Sequence, residues 1–350
     1  MGLRPTLDGQ WASACFPVSL GGVDINIEEI LPDWRTNWIL RDDFVFAASW
    51  SRGTQRRLDR LVIRDPARAG CRIRQDGYSV RTLEEHIALI NALALTKVLC
   101  ICEDISFLRR CPSVTDAVIY PAFGSPEDFD YSPLYDLPQL RALTCSTACG
   151  SACDSRTVVD YARLTGLEKL RVGDDLGDKG HRGYEQLSRL RTLSVTGCKR
   201  HKRIFDLCAS PELRELSLLC CGLKSLDGLG RHSQLHTLHL DHCRGLEDIS
   251  ALAEATSLRT LIIESCPRIR DFSALRQLSG LEVLELDGSN TLPDLQFLKD
   301  MPRLRFFRCT MDVADGDLTP CLRLPYTSCR NRRHFNLRDE QLPKRLPEED

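Results

Sequence analysis

Eight short segments of one pattern recur along this chain at an almost constant interval, and that periodicity restricts the fold more than any other feature. They are "LRALTC" from Leu140, "LEKLRV" from Leu167, "LRTLSV" from Leu190, "LRELSL" from Leu213, "LHTLHL" from Leu235, "LRTLII" from Leu258, "LEVLEL" from Leu281 and "LRFFRC" from Leu304. Successive starts are 27, 23, 23, 22, 23, 23 and 23 residues apart. A unit this small cannot bury an apolar face alone, so identical units must stack and share one core.

Within each segment the first, fourth and sixth residues are mostly apolar, which predicts a short strand that turns those positions inward. Three residues past the sixth position stand Cys198, Cys221, Cys243 and Cys266, at steps of 23, 22 and 23. A small side chain there, where the chain leaves the strand, is expected to bond loop backbone groups that would otherwise be unsatisfied. An apolar residue follows two or three positions later (Leu223, Leu246, Ile269, Leu292), and then a D-[IFL]-x-x-L return such as "EDISAL", "RDFSAL" or "PDLQFL".

These positions resemble the leucine-rich repeat family, L-x-x-L-x-L-x-x-[NC]-x-L, over residues 135–312. The cysteine slot is similar to that of cysteine-containing repeats, and the short "DISAL" returns are similar to internalin-type repeats of about 22 residues. The resemblance implies an α/β fold: a right-handed solenoid with a parallel β-sheet on its concave face, short 3-10 or α turns on its convex face, and caps at both ends. Ser289 and Asp312 depart from the pattern, being neither Asn nor Cys, so the final repeats are expected to turn less regularly.

Four regions follow. Residues 1–57 hold all four tryptophans and are expected to cap the open N-terminal end of the core. Residues 58–134 carry degenerate strands, "LDRLVI" from Leu58, "TKVLCI" from Thr96 and "VTDAVI" from Val114. Between the first two, "TLEEHIALINALAL" offers a capping box, Thr82 with Glu85, and an apolar face of Leu83, Ile87, Ile90 and Ala94, which predicts a true helix. Residues 135–312 are the regular repeats, and residues 313–350 a C-terminal cap and tail that includes the basic run "RNRRHFNLR".

The chemistry-bearing residues are weighed against this frame. His236, His239 and His242 stand three apart with Cys243 directly after, but strand neighbours point to opposite faces, so the group is expected to scatter. Zinc needs three or four ligands converging at about 2.0–2.3 Å, and no metal is expected. Cys149 and Cys153 lie in a loop without nearby histidines. Neither a phosphate-cradling G-x-x-x-x-G-K-[ST] nor a G-x-S-x-G nucleophile elbow occurs, so neither catalysis nor a cofactor is expected. With 47 basic and 49 acidic residues, no overall field favours nucleic acid or an anionic membrane. Seventeen cysteines, an odd number in a long chain, are read as reduced thiols of a cytoplasmic protein.

The solvent-facing strand positions form ladders across the repeats, and the candidate binding residues are Thr237, His239, Asp241, Ile262, Glu264, Val283, Glu285, Asp287, Phe306 and Arg308. Asp241, Glu264 and Asp287 stack three acids in consecutive repeats beside apolar Ile262, Val283 and Phe306. The expected function is a non-enzymatic, monomeric interaction module that takes a basic protein partner on its concave face. An alternative is a substrate-recognition adaptor whose N-terminal region recruits an enzyme such as a ubiquitin ligase. "INIEEILPDWRTNWILRDD" sits where an F-box would, although it lacks an L-P-x-E start.

Overall fold

The computed structural model describes residues 83–121, 129–146, 159–173, 181–199 and 201–345, together with the backbone of strands at 17–20, 23–26, 44–47 and 57–64. The chain divides into two compact units, residues 1–157 and 158–350.

In the first unit, strand Phe44–Ala47 pairs antiparallel with Arg57–Arg64. Strands Lys97–Cys102, Asp116–Pro121 and Ala142–Ser146 then follow in parallel. An α-helix, Leu83–Ala92, connects Arg57–Arg64 to Lys97–Cys102 and buries Ile87 and Ile90. Its proposed cap, Thr82, lies outside the described residues. The later connections tighten to 3-10 turns, Ser106–Arg110 and Ser132–Asp136.

In the second unit, each repeat contributes one parallel strand: Lys169–Gly173, Thr192–Thr196, Glu215–Leu219, Thr237–Asp241, Thr260–Glu264, Val283–Asp287 and Phe306–Cys309. The register is one-to-one, so Leu216, Leu238, Leu261, Leu284 and Phe307 stack in one row and Leu218, Leu240, Ile263, Leu286 and Cys309 in the next. Both rows are buried, and each such side chain removed from water contributes about 1.5–3 kcal/mol. The less buried positions between them face outward. The fold is a right-handed leucine-rich repeat solenoid.

Two local devices repeat with the strands. In four consecutive units the eighth position has a left-handed backbone: φ is 78° at Gly197, 55° at Cys220, 50° at His242 and 51° at Ser265. This turns the chain off the sheet while its N–H still reaches the next repeat, as Cys220 donates to the Asp241 carbonyl at 2.8 Å and His242 to the Glu264 carbonyl at 3.0 Å. The aspartate of the return motif accepts the N–H two residues on: Ser250 donates to Asp248 at 2.8 Å, Ser273 to Asp271 at 2.8 Å and Gln296 to Asp294 at 2.7 Å. An otherwise orphaned donor at the start of each 3-10 turn is thereby satisfied.

A further parallel strand, Tyr326–Cys329, follows Phe306–Cys309, although neither Thr327 nor Cys329 is a leucine. Its outer edge is covered: Thr327 donates to the Pro343 carbonyl at 2.9 Å, and Lys344 Nζ reaches the Thr327 carbonyl at 2.7 Å and Asp339 at 2.8 Å. Covering this edge keeps the Tyr326–Cys329 strand from serving as a template for another chain. No helix among the described residues is long and apolar enough to cross a membrane.

Candidate functional site

The site candidates lie on the outward face of the Thr237–Asp241, Thr260–Glu264, Val283–Asp287 and Phe306–Cys309 strands, supported from behind by the cysteine slot. Cys198, Cys221, Cys243 and Cys266 are all buried. Cys221 donates its thiol to the Val195 carbonyl at 3.4 Å, Cys243 to Leu218 at 3.5 Å, and Cys266 to Leu240 at 3.9 Å and Glu264 at 3.2 Å. The Val195, Leu218 and Leu240 acceptors are the sixth residue of the preceding repeat, so each thiol ties two units together. A hydrogen bond with Cys243, reinforced by burial, pushes the Cys221 and Cys266 thiols well up and keeps both protonated.

At Ser289 the pattern slips by one residue. Ser289 is exposed, and Asn290 fills the slot instead, its side-chain amide donating to the carbonyls of Cys266 at 3.1 Å and Ile269 at 2.8 Å. The shift falls beside Gly288, whose φ is 154° and where a Cβ would come within 3.1 Å of Asn290 Oδ1, and the unit keeps its 23 residues. Asp312 is half-buried, and the neighbouring apolar Met311 and Val313 enter the core.

On the outward face, Asp241, Glu264 and Asp287 are direct partners in register, as are His239, Ile262, Glu285 and Arg308 in the fifth row and Thr237, Thr260, Val283 and Phe306 in the third. All are half-buried except the exposed Arg308. Adjacent carboxylates at the strand spacing of about 4.8 Å repel by roughly 1 kcal/mol in water.

The column is partly compensated within the chain, which the sequence did not foretell. Arg308 bridges Glu285 at 3.1 Å and approaches Asp287 at 3.8 Å. His239 Nε2 lies 3.0 Å from Glu264 Oε2, and His242 Nδ1 lies 2.5 Å from Asp241 Oδ1. Four carboxylates against one guanidinium leave the face negative, since histidine adds charge only when protonated.

The three histidines are indeed scattered. His236 Nδ1 sits 3.1 Å from its neighbour Thr237 Oγ1, His239 projects from the sheet, and His242 leaves on the turn. Cys243 points into the core. Metal-ligating atoms converge across strands instead: one each from His239, Asp241 and Glu264 lie within 4.8 Å of one another. Reading along single segments misses that grouping, because Glu264 is one repeat away.

Sequence reading also missed Tyr326. It is the register partner of Phe306, and their rings stack at a 4.8 Å centroid separation and 4° interplanar angle, with Lys344 Nζ 5.6 Å from the Tyr326 ring. A signal was present, for "LPYTSC" from Leu324 places Thr327 and Cys329 at the fourth and sixth positions, 20 residues after Leu304. Cys149 and Cys153, and the residues 1–57 on which the adaptor alternative rests, have no described side chains.

Three solved structures from Listeria monocytogenes are similar to this chain. An internalin (inlF) has 18% identity and a TM-score of 0.49 over 70% of this chain and 71% of that one. The functional domain of InlJ, which includes a cysteine ladder, has 16% identity and a TM-score of 0.38 over 68% of this chain and 49% of that one. Internalin C2 (inlC2) has 19% identity and a TM-score of 0.32 over 58% and 74%. No protein-family model matches the sequence, and no curated protein matches it.

Proposed function

We propose that the chain is a non-enzymatic interaction module that binds a basic protein segment on the outward, concave face of its sheet. The observation that carries this reading is the in-register column Asp241–Glu264–Asp287 beside an apolar stripe of Ile262, Val283 and Phe306, extended by Tyr326. Carboxylates backed by a rigid sheet attract a cationic segment, and the stripe offers apolar area to desolvate against it. The protein is read as a cytoplasmic monomer whose ladder thiols stay reduced, supported by their donation to backbone carbonyls.

The test is affinity purification from the native organism with mass spectrometry, followed by binding measurements at two salt concentrations in the presence of EDTA. Binding is expected to weaken as salt rises, because exposed charges are screened over about 8–10 Å at physiological ionic strength. Reversal of Asp241 and Asp287 to Lys should abolish it while the protein stays folded. Asp287→Lys also removes a neighbour of Arg308, so no gain in stability is expected. A double reversal that binds as tightly as wild type removes the acidic column from recognition.

A further inference from the structure

We propose that His239, Asp241 and Glu264 form a binding site for a single divalent first-row transition-metal ion of the zinc class. The site does not depend on the partner reading above, and it contradicts the expectation from sequence that this stretch holds no metal.

The strands bring the ligands together. His239 and Asp241 are two residues apart on one strand and so share a face. Glu264 is the register partner of Asp241 on the next strand. Three ligands on two hydrogen-bonded strands are held by backbone that cannot drift, which is the preorganisation a metal site requires.

The distances suit a small ion. Ligands at about 2.0–2.2 Å from one zinc-sized ion stand roughly 3–3.5 Å from one another. His239 Nε2 and Glu264 Oε2 are already 3.0 Å apart. The three ligand atoms lie within 4.8 Å of one another, so small side-chain adjustments suffice to bring them around one ion.

The donor chemistry chooses the class. An imidazole nitrogen with two carboxylates suits a transition metal better than calcium or magnesium, which take oxygen ligands. Two carboxylates match the ion's double charge. That charge is otherwise poorly met: among the described residues, no lysine or arginine bridges Asp241 or Glu264, and Arg308 is engaged two strands away with Glu285 and Asp287.

Outer contacts and exposure complete the case. His242 Nδ1 holds Asp241 Oδ1 at 2.5 Å, a common supporting contact for a ligating carboxylate. The ligand side chains are about a third exposed or less, at 34%, 21% and 31%. That leaves room for water to fill the remaining coordination positions.

The full chain, stripped with EDTA, is titrated with Zn2+ by calorimetry and with Co2+ by visible absorption. The expected result is one ion per chain, with a cobalt spectrum that lacks thiolate charge-transfer bands. Glu264→Gln and His239→Gln should each weaken Zn2+ binding by about tenfold or more. Glu285→Gln, on the same face but outside the triad, should bind as wild type. Melting curves of all variants establish that the sheet is intact. Absence of wild-type binding, equal affinity in Glu264→Gln, or a thiolate–cobalt band that assigns the ion to cysteine would each overturn the site. Because partner binding is measured in EDTA, failure here leaves the interaction reading standing, and the reverse holds.

Discussion

The slot behind the sheet is filled in two different ways. From Cys198 to Cys266 a thiol occupies it, a weak donor that meets backbone carbonyls at 3.2–3.9 Å where such bonds are made. In the next repeat an amide does, and Asn290 makes two bonds of 2.8 and 3.1 Å from a position one residue later. What persists is a polar donor where the chain leaves the strand, not its acceptors: the thiols reach the sixth residue of the preceding repeat, whereas Asn290 reaches that repeat's Cys266 and Ile269. A stacked unit tolerates a one-residue shift of its polar side chain when the backbone turn accommodates it and the donor finds carbonyls within reach. The amide has a cost that the thiol lacks, for Asn290 Oδ1 is buried without a hydrogen-bond partner.

The strongest way to break this comparison is Cys243→Arg. The side chain is fully buried, and an unpaired charge there costs about 3–5 kcal/mol. A loss of that size lowers the melting midpoint by several degrees or more. Cys243→Asn should be much milder, because it is neutral and its amide can donate to backbone carbonyls, as Asn290 does two repeats on. If Cys243→Arg melts within about a degree of wild type, the slot is not a core position.

Next in size is Asn290→Ala. Two strong bonds vanish, although the Cys266 carbonyl keeps the Ile269 N–H at 3.4 Å, at about 2–4 kcal/mol. Cys243→Ala loses one weak bond and a small volume, at about 1–2 kcal/mol. Chemical denaturation of both variants checks the order. Equal losses would mean that the slot responds to volume alone.

These losses bear on how much was readable in advance. The strand positions were legible because Leu238, Leu240 and their counterparts repeat with period two inside a 23-residue unit, a pattern with one cheap solution. The strand at Tyr326 was hidden because Thr327 and Cys329 replace leucines, and burial depends on the neighbouring repeat. The triad was hidden for another reason. His239 and Asp241 are near in sequence, but Glu264 joins them only through register, and register is not visible within one segment. Charge compensation by Arg308 likewise crosses strands.

A smaller effect concerns the return turns, which both regions share. Backbone N–H donation holds the Asp248 and Asp271 carboxylates below the usual range, and the Thr319 hydroxyl and N–H do the same for Asp317. Asp248→Ala should cost about 0.5–2 kcal/mol at neutral pH, as loss of a capping acceptor does. A lowered folded pKa makes this contribution complete above the unfolded value of about 3.9, and it is lost as pH falls through the folded value. The gap between wild type and Asp248→Ala should therefore stay level from pH 7 to about 5 and close below about 4. A gap that closes above pH 5 would place the effect elsewhere.

The smallest effect separates the regions most finely, at the eighth position. Ser265 has φ of 51°, where a Cβ costs an L-residue roughly 1 kcal/mol, while Gly197 holds the equivalent place at 78° without that cost. Ser265→Gly relieves strain but gives the unfolded chain more freedom, so the two terms nearly cancel. A gain of about 0–0.5 kcal/mol is expected, read as a slightly higher denaturant midpoint at unchanged slope. Gly197→Ala reverses both terms and should lose about 0–0.5 kcal/mol. Gly288→Ala should lose more, because its Cβ would press on Asn290 Oδ1 and disturb the amide that bonds Cys266 and Ile269. Should Gly288→Ala prove as mild as Gly197→Ala, the one-residue shift is accommodated elsewhere in the turn, and the two fillings of the slot are interchangeable after all.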